Sequence, residues 1–190
     1  MGREPALQRL ADALATAARG RGQVVLVVGE PGIGKTRLLR QFAEQAPVPV
    51  AWGACPEHIA APPLWPWEKV LHAVRAHCPD RPVPGPVAEL LDGRTCDLDE
   101  LEDVAGAALR RFEAIAQYLT ANDSPMVVVL DDLHWADQSS LRLLAHLADT
   151  ITASRLLVVA TCWPHELGTS SGPLSRRWPH WPAPQPCGSS

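Results

Sequence analysis

The sequence has no C-x-x-C pair, no excess of basic residues and no long apolar run, and each absence closes off a class of function. Five cysteines (Cys55, Cys78, Cys96, Cys162 and Cys187) are scattered through 190 residues. An odd count without paired spacing reads as free thiols in a reducing compartment rather than as a disulfide framework. Cys78 and Cys96, with His72 and His77, follow no recognised zinc-ligand spacing. A formal net charge of −4 leaves no broad basic surface for nucleic acid or an anionic membrane. No apolar stretch approaches the roughly 18–20 residues needed to span a bilayer. The opening Met1-Gly2-Arg3-Glu4-Pro5 is polar, unlike a secretory signal, and Ala6 stands where a myristoylation motif needs Ser or Thr. The expected compartment is the cytoplasm, with no membrane partner and no direct binding of nucleic acid.

What is present suits one domain, with 46% hydrophobic residues to build a core. Proline is over-represented, at 19 of 190 residues, about twice the usual share. The spacing of Leu7, Leu10, Ala11 and Leu14 predicts a first helix over Pro5 to Arg19, ended by Gly20 and Gly22. An apolar run predicts a strand over Gln23 to Val28, and a second strand is expected over Val48 to Trp52. Trp65-Pro66-Trp67 opens a helix running to about His77. Pro79 to Pro86 holds four prolines and reads as a surface connection on to about Cys96. Asp97 or Asp99 is expected to cap a helix through Leu101, Val104, Leu109, Phe112, Ile115 and Leu119. Strands over Met126 to Leu130 and Arg155 to Thr161 flank a helix over Ser139 to Asp149, with Leu141, Leu144, Ala145 and Ala148 facing inward.

The chain is organised around Gly29-Glu30-Pro31-Gly32-Ile33-Gly34-Lys35-Thr36, which fills every fixed position of the phosphate-binding pattern G-x-x-x-x-G-K-[ST]. A buried strand precedes it and a helix follows, the context that the pattern demands. Gly29, Gly32 and Gly34 are expected to adopt backbone angles that side chains forbid, turning amide N–H groups toward phosphate oxygens. Pro31 has no N–H, so the donors are expected mainly from Gly32 to Thr36, and Gly29, Gly32, Ile33, Gly34, Lys35, Thr36 and Arg37 are the candidate nucleotide-binding residues. The helix dipole favours the same anion. Lys35 adds a charge near the β- and γ-phosphates as a catalytic residue, and the Thr36 hydroxyl is suited to ligate Mg²⁺. The strand Met126 to Leu130 ends on Asp131-Asp132, the Walker B arrangement. Asp131 is the candidate second Mg²⁺ ligand, and Asp132 the carboxylate that orients or polarises an attacking water.

The run Val128-Val129-Leu130-Asp131-Asp132-Leu133-His134-Trp135-Ala136-Asp137 resembles the hallmark of the STAND class of AAA-like ATPases. More narrowly, it resembles the ATPase module of large LuxR-type and related actinobacterial regulators and of some adenylate cyclases. Gly2-Arg3-Glu4 resembles the family's opening motif, and Gly53 through Glu68 the segment after the second strand; the likeness covers roughly residues 2 to 163. It implies a doubly wound parallel α/β sheet, a P-loop NTPase of the additional-strand type with strand order 5-1-4-3-2. It also implies ATP or ADP bound with Mg²⁺, nucleotide state acting as a signalling switch, and homo-oligomers or other domains of a larger regulator as partners. His134, Trp135 and Asp137 match family positions. For these positions a structural role, with Trp135 packing the loop and Asp137 capping the next helix, stands beside contact with nucleotide and is slightly favoured over it.

Two departures from that resemblance stand out. The family's fourth strand ends in Thr-x-Arg, whose arginine senses the γ-phosphate, whereas this chain reads Thr161-Cys162-Trp163. An indole has one N–H donor and no charge, so it cannot replace a guanidinium facing an anion, and slow or absent hydrolysis is expected. Residues 166–190, beyond a domain over 1–165, form a Pro/Trp/Ser-rich stretch without period. It is expected to be a disordered tail, or an out-of-frame reading ending at an early stop, so that the fifth strand and lid are missing. Val24 to Val28 would then be an exposed apolar edge. The competing readings are a nucleotide-binding interaction module without turnover, a non-functional truncated fragment, a DNA-binding regulator and a small-molecule kinase. The acidic balance and lack of a helix-turn-helix oppose the third, and no recognisable acceptor site supports the fourth. Glu57 and His58, after the second strand, carry no assigned role, a polar loop being the default.

Overall fold

Uninterrupted apolar strands are stable only where both faces of a sheet are covered, and the fold supplies a layer of helices on each side. The computed structural model describes residues 3–57, 61–93 and 104–164. Four strands, β1 (Gln23–Val28), β2 (Val50–Ala54), β3 (Met126–Asp131) and β4 (Leu156–Cys162), pair in parallel in the order β1-β4-β3-β2. This is the P-loop NTPase arrangement expected from the sequence, without a fifth strand among the described residues. Side chains alternate across the strands. Val127, Val129, Leu157 and Val159 face a layer built from α1 (Arg3–Ala18) and α2 (Lys35–Gln45). Val128, Leu130, Val158 and Ala160 face the opposite layer of α3 (Trp65–His77), α4 (Gly85–Leu91), α5 (Val104–Thr120) and α6 (Gln138–Thr150).

Several expectations need correction. α4 occupies the stretch read as a surface connection and buries Val87, Leu90 and Leu91. Its prolines do not forbid it, because Pro84 is the N-cap and Pro86 lies in the first turn, where a missing N–H has no intrahelical partner to lose. β2 begins at Val50 rather than Val48, after the turn made by Pro47 and Pro49. On α1, Ala11 is exposed and Ala17 joins the buried stripe instead. On α5, Leu109 is 55% exposed, the buried stripe gathering toward Ile115, Ala116 and Leu119. The proposed caps Asp97 and Asp99, Leu101, His58 and the tail over residues 166–190 lie outside the described residues, as do the thiols of Cys96 and Cys187. Among the described residues no helix is long and apolar enough to cross a membrane.

β1 forms one edge of the described sheet, pairing only with β4, and all six of its residues are half-buried. At the other end, β2 meets α3 at unusually short range. A Cβ on Gly53 would stand 2.2 Å from the Pro66 carbonyl oxygen, so this strand glycine marks a close backbone approach. That contact seats Trp67, fully buried, whose indole N–H donates to the Ser140 carbonyl at 3.1 Å. Gly53→Ala should lower the unfolding free energy by about 1–3 kcal/mol through overpacking. Gly85→Ala, where nothing lies within 4 Å of the added methyl, should stay within about 0.5 kcal/mol of the parent. Urea denaturation of the two variants against the parent checks this.

Candidate nucleotide site

Parallel pairing delivers the C-terminal ends of all four strands to one edge of the sheet, and there a cavity of about 520 Å³ opens, within the usual size range for small-molecule sites. Its floor is the loop between β1 and α2. Gly32 (φ 75°) and Gly34 (φ 97°) take the left-handed conformation as expected. Gly29 does not: its constraint is space, a Cβ there meeting Ile33 Cγ2 at 3.0 Å. The loop is tied to the sheet by the Gly29 N–H, which donates to the Cys162 carbonyl at 3.3 Å. The Ile33 amide donates to Glu30 O at 3.3 Å, and its side chain points outward, 55% exposed.

No side chain caps α2, whose N-cap is Gly34. Leu38 N–H donates to Gly34 O at 2.9 Å, so the preceding first-turn amides of Lys35, Thr36 and Arg37 have no carbonyl of their own helix to reach. Such a terminus suits an anion. The Lys35 side chain is nearly buried and folds back over the loop, Nζ donating to Gly29 O at 2.8 Å and Glu30 O at 3.1 Å. An ammonium has three donors, so a third is left for a phosphate oxygen. Lys35, Arg37 and Arg40 bring the basic side of the cavity, with the Thr36 hydroxyl among them; Glu57 and Asp132 bring the acidic side.

The acidic side comes from the end of β3. Asp131, only 4% exposed, accepts a hydrogen bond from Thr161 Oγ1 at 2.7 Å, and its carbonyl accepts from Cys55 N–H at 3.0 Å. Asp132 turns into the left-handed region (φ 60°), which aspartate tolerates better than most residues. Its carboxyl holds its proton more tightly than an ordinary aspartate, through burial first and the neighbouring Asp131 next, with Lys35 opposing and Glu57 adding. Among the described residues no cluster of three or more acidic, His or Cys side chains forms a metal cage. Mg²⁺ carried in with phosphates does not need one, since it takes one or two protein oxygens and keeps waters. The residues present therefore fit a Mg²⁺–nucleotide.

Residues 133–135 form a single 3₁₀ turn, after which Asp137 N-caps α6, its Oδ1 accepting from Ser139 N–H at 2.9 Å and Ser140 N–H at 3.0 Å. Oδ2 accepts from Ser140 Oγ at 2.5 Å and from Leu64 N–H at 3.1 Å, pinning the segment before α3. The capping role expected from the sequence is the one observed, and Trp135 packs half-buried against the core. The sequence reading did not find the cavity's aromatic wall. Trp163 stacks on His134 with ring centroids 3.9 Å apart at 23°, and Trp135 meets Trp163 edge-on at 6.0 Å. His134 and Trp163 lie 29 residues apart in sequence; the motif at 131–137 and the departure at Thr161-Cys162-Trp163 marked each of them, but no pattern linked the two. Arg40 was likewise missed, as an ordinary polar position of a helix, and Glu57, named after the second strand but given no role, lines the cavity.

Cys55 lies just behind the site, and its thiol is pushed up to about 12, by burial first and then by Asp137, Asp132 and Asp131. Thiolate, not thiol, is the nucleophile, so raising pH from 7 to 9 should not expose it. Alkylation of the native protein with iodoacetamide, followed by peptide mapping, should leave Cys55 unmodified until denaturant is added. Asp137→Ala should lower stability by about 2 kcal/mol, the upper range for a lost cap, without a matching loss of nucleotide affinity in the folded protein.

No curated protein sequence matches the chain. Among solved structures, Cdc6p from Pyrobaculum aerophilum is similar with a TM-score of 0.50 and 20% identity, over 85% of this chain and 38% of that one. A chain of the Drosophila ORC structure, solved bound to AT-rich DNA and Cdc6, is similar with a TM-score of 0.42 and 12% identity, over 84% of this chain and 49% of that one. This chain thus spans less than half of the length of either, and the likeness to Cdc6p is one of fold. The sequence profile of the AAA ATPase domain family matches residues 1–159, covering both phosphate-site motifs, β1 to β3 and the first four residues of β4, and the chain belongs to that family.

Proposed function

We infer that this chain is the ATP-binding module of a signal-transducing regulatory ATPase of the STAND class, akin to the module of large LuxR-type regulators, with nucleotide state as its switch. The observation that carries the reading is one cavity lined by Lys35, Thr36 and the uncapped start of α2 on one side and by Asp132 on the other, with buried Asp131 beside it. Gly32, Gly34, Lys35, Thr36 and Arg37 form the phosphate-binding set, and Gly29 and Ile33 shape its loop, their own N–H groups being bonded to the Cys162 and Glu30 carbonyls. Bound Mg²⁺ would supply positive charge to the β- and γ-phosphates. On the protein's side, Thr36 and Asp131 are the oxygen ligands offered to it. Lys35 adds charge to the phosphates, and Asp132, with its raised proton affinity, orients and accepts a proton from water. Nucleotide, a second copy of the chain and other domains of a larger regulator are the partners of this reading, and the cytoplasm its compartment.

A second reading, a nucleotide-binding module without turnover, draws on Trp163. The resemblance puts an arginine here; this chain stacks an indole on His134 at the cavity wall. Indole carbon offers no charge to a γ-phosphate in the transition state, where an arginine is worth about 10³–10⁵ in rate.

Calorimetric titration with ATP and ADP, with and without Mg²⁺, should show binding that Lys35→Ala weakens by about 10–100-fold, the effect of losing one charge-assisted contact. Turnover of ATP should fall below about 10⁻² s⁻¹ and rise about tenfold or more in Trp163→Arg. Fast turnover in the parent, abolished by Lys35→Ala, would refute the silencing role of Trp163. Absence of nucleotide binding by the folded protein would refute the switch reading itself.

A further inference from the structure

β4 is an apolar strand but for one residue. In Leu156-Leu157-Val158-Val159-Ala160-Thr161-Cys162, Thr161 is fully buried. Valine would fit that backbone and that volume as well, and a buried hydroxyl is unfavourable unless it is bonded. The parallel register pairs Leu130 with Ala160, so the next residue of each strand, Asp131 and Thr161, stand side by side. Thr161 Oγ1 accepts from the Asp132 N–H at 2.7 Å and donates to Asp131 Oδ1 at 2.7 Å. A backbone amide can only donate, so the hydroxyl oxygen is committed as acceptor and its proton is directed to the carboxylate. One hydroxyl therefore fixes two things: the orientation of the Asp131 carboxylate, and the left-handed backbone of Asp132 that turns its side chain into the cavity.

We propose that Thr161 is the positioning residue of the Mg²⁺–nucleotide site, its hydroxyl holding the Asp131 carboxylate for the metal and the Asp132 backbone in its turn. This rests on the reading of Asp131 as a Mg²⁺ ligand. A group that orients a metal-binding carboxylate acts on metal affinity rather than on the nucleotide's other contacts, and loss of such a partner weakens binding by about 10–100-fold.

Two measurements on the full chain test the proposal. In the first, ATP affinity is measured in Mg²⁺ and in EDTA, the ratio giving the gain due to the metal. Thr161→Val should lose about 10–100-fold of that gain while keeping its affinity in EDTA, and Thr161→Ser should restore it. Thr161→Ala removes the same hydroxyl without adding bulk and serves if the valine variant does not fold. The second needs no ligand: amide hydrogen exchange by NMR should speed up at Asp132 in Thr161→Val, with Val128 to Leu130 unchanged. A valine variant with the parent's Mg²⁺ gain, beside an Asp131→Asn variant that has lost it, overturns the role of Thr161 and leaves Asp131 as a ligand. Exchange at Asp132 no faster than in the parent overturns it equally. No Mg²⁺ gain in the parent refutes the Asp131 reading, and the proposal falls with it.

Discussion

In a parallel sheet every strand leaves at the same edge, and the site of this protein depends on that constraint. β1, β3 and β4 end within one or two residues of each other in register, so Gly29, Asp131 and Thr161 come together although more than half of the chain separates them. The Gly29 N–H to Cys162 carbonyl bond extends the β1–β4 ladder into the phosphate loop. Its effect is to anchor a glycine-rich loop to a strand with no freedom to slide, since β4 is buried along its whole length. Without the anchor, Gly32 and Gly34, which gain their left-handed angles at an entropic cost, would leave the start of α2 poorly aimed. Packing on both faces of the sheet thus precedes any chemistry at its edge.

Much of this was legible in the sequence, for a physical reason. Strands covered on both faces must be apolar throughout, and Gln23–Val28, Met126–Asp131 and Leu156–Cys162 can therefore be read without knowledge of their partners. β2 is shorter and carries Gly53, so its limits blur. α4 is hidden by Pro84 and Pro86, because composition announces proline's ban on helix interiors but not its tolerance at a helix start. The phosphate loop was readable because its requirement is local, a backbone conformation encoded by adjacent residues. Gly29 shows the limit of that inference: the residue type was right, but the reason is the approach of Ile33 and not a left-handed angle. The stack of Trp163 on His134 and the bonds of Thr161 were not readable. They join residues from different strand ends, and no period within either segment implies them.

The aromatic wall changes the electrostatic character of the site. The basic side, made by Lys35, Arg37 and Arg40, sits on α2 and its loop, whereas the β3 and β4 side offers carboxylates and rings. An anion is therefore drawn toward the loop, and among the described residues no lysine or arginine at the end of β4 lines the cavity. Ground-state binding needs only the first of these features; acceleration of phosphoryl transfer needs charge on the transferred group from more than one direction. Binding and turnover are thus separable in this architecture, and a site can keep the one while losing much of the other.

The segment from Asp131 to Asp137 divides its labour between site and scaffold within seven residues. Asp131 is still part of β3 and buried, Asp132 reverses the backbone, residues 133–135 make one 3₁₀ turn, and Asp137 starts α6. Asp137 is bonded entirely to the scaffold, reaching two amides of its own helix, the Ser140 hydroxyl and the Leu64 amide ahead of α3. Because the turn between them is a single 3₁₀ turn, a displacement of α3 or α6 would meet little slack before it reached Asp132 and the His134–Trp163 stack. A partner or a further domain bearing on α3 or α6 would therefore act on the acidic side of the cavity, and a nucleotide filling the cavity would act on those helices. If nucleotide state acts as a switch in this chain, as proposed above, two-way coupling of that kind would run through this short segment.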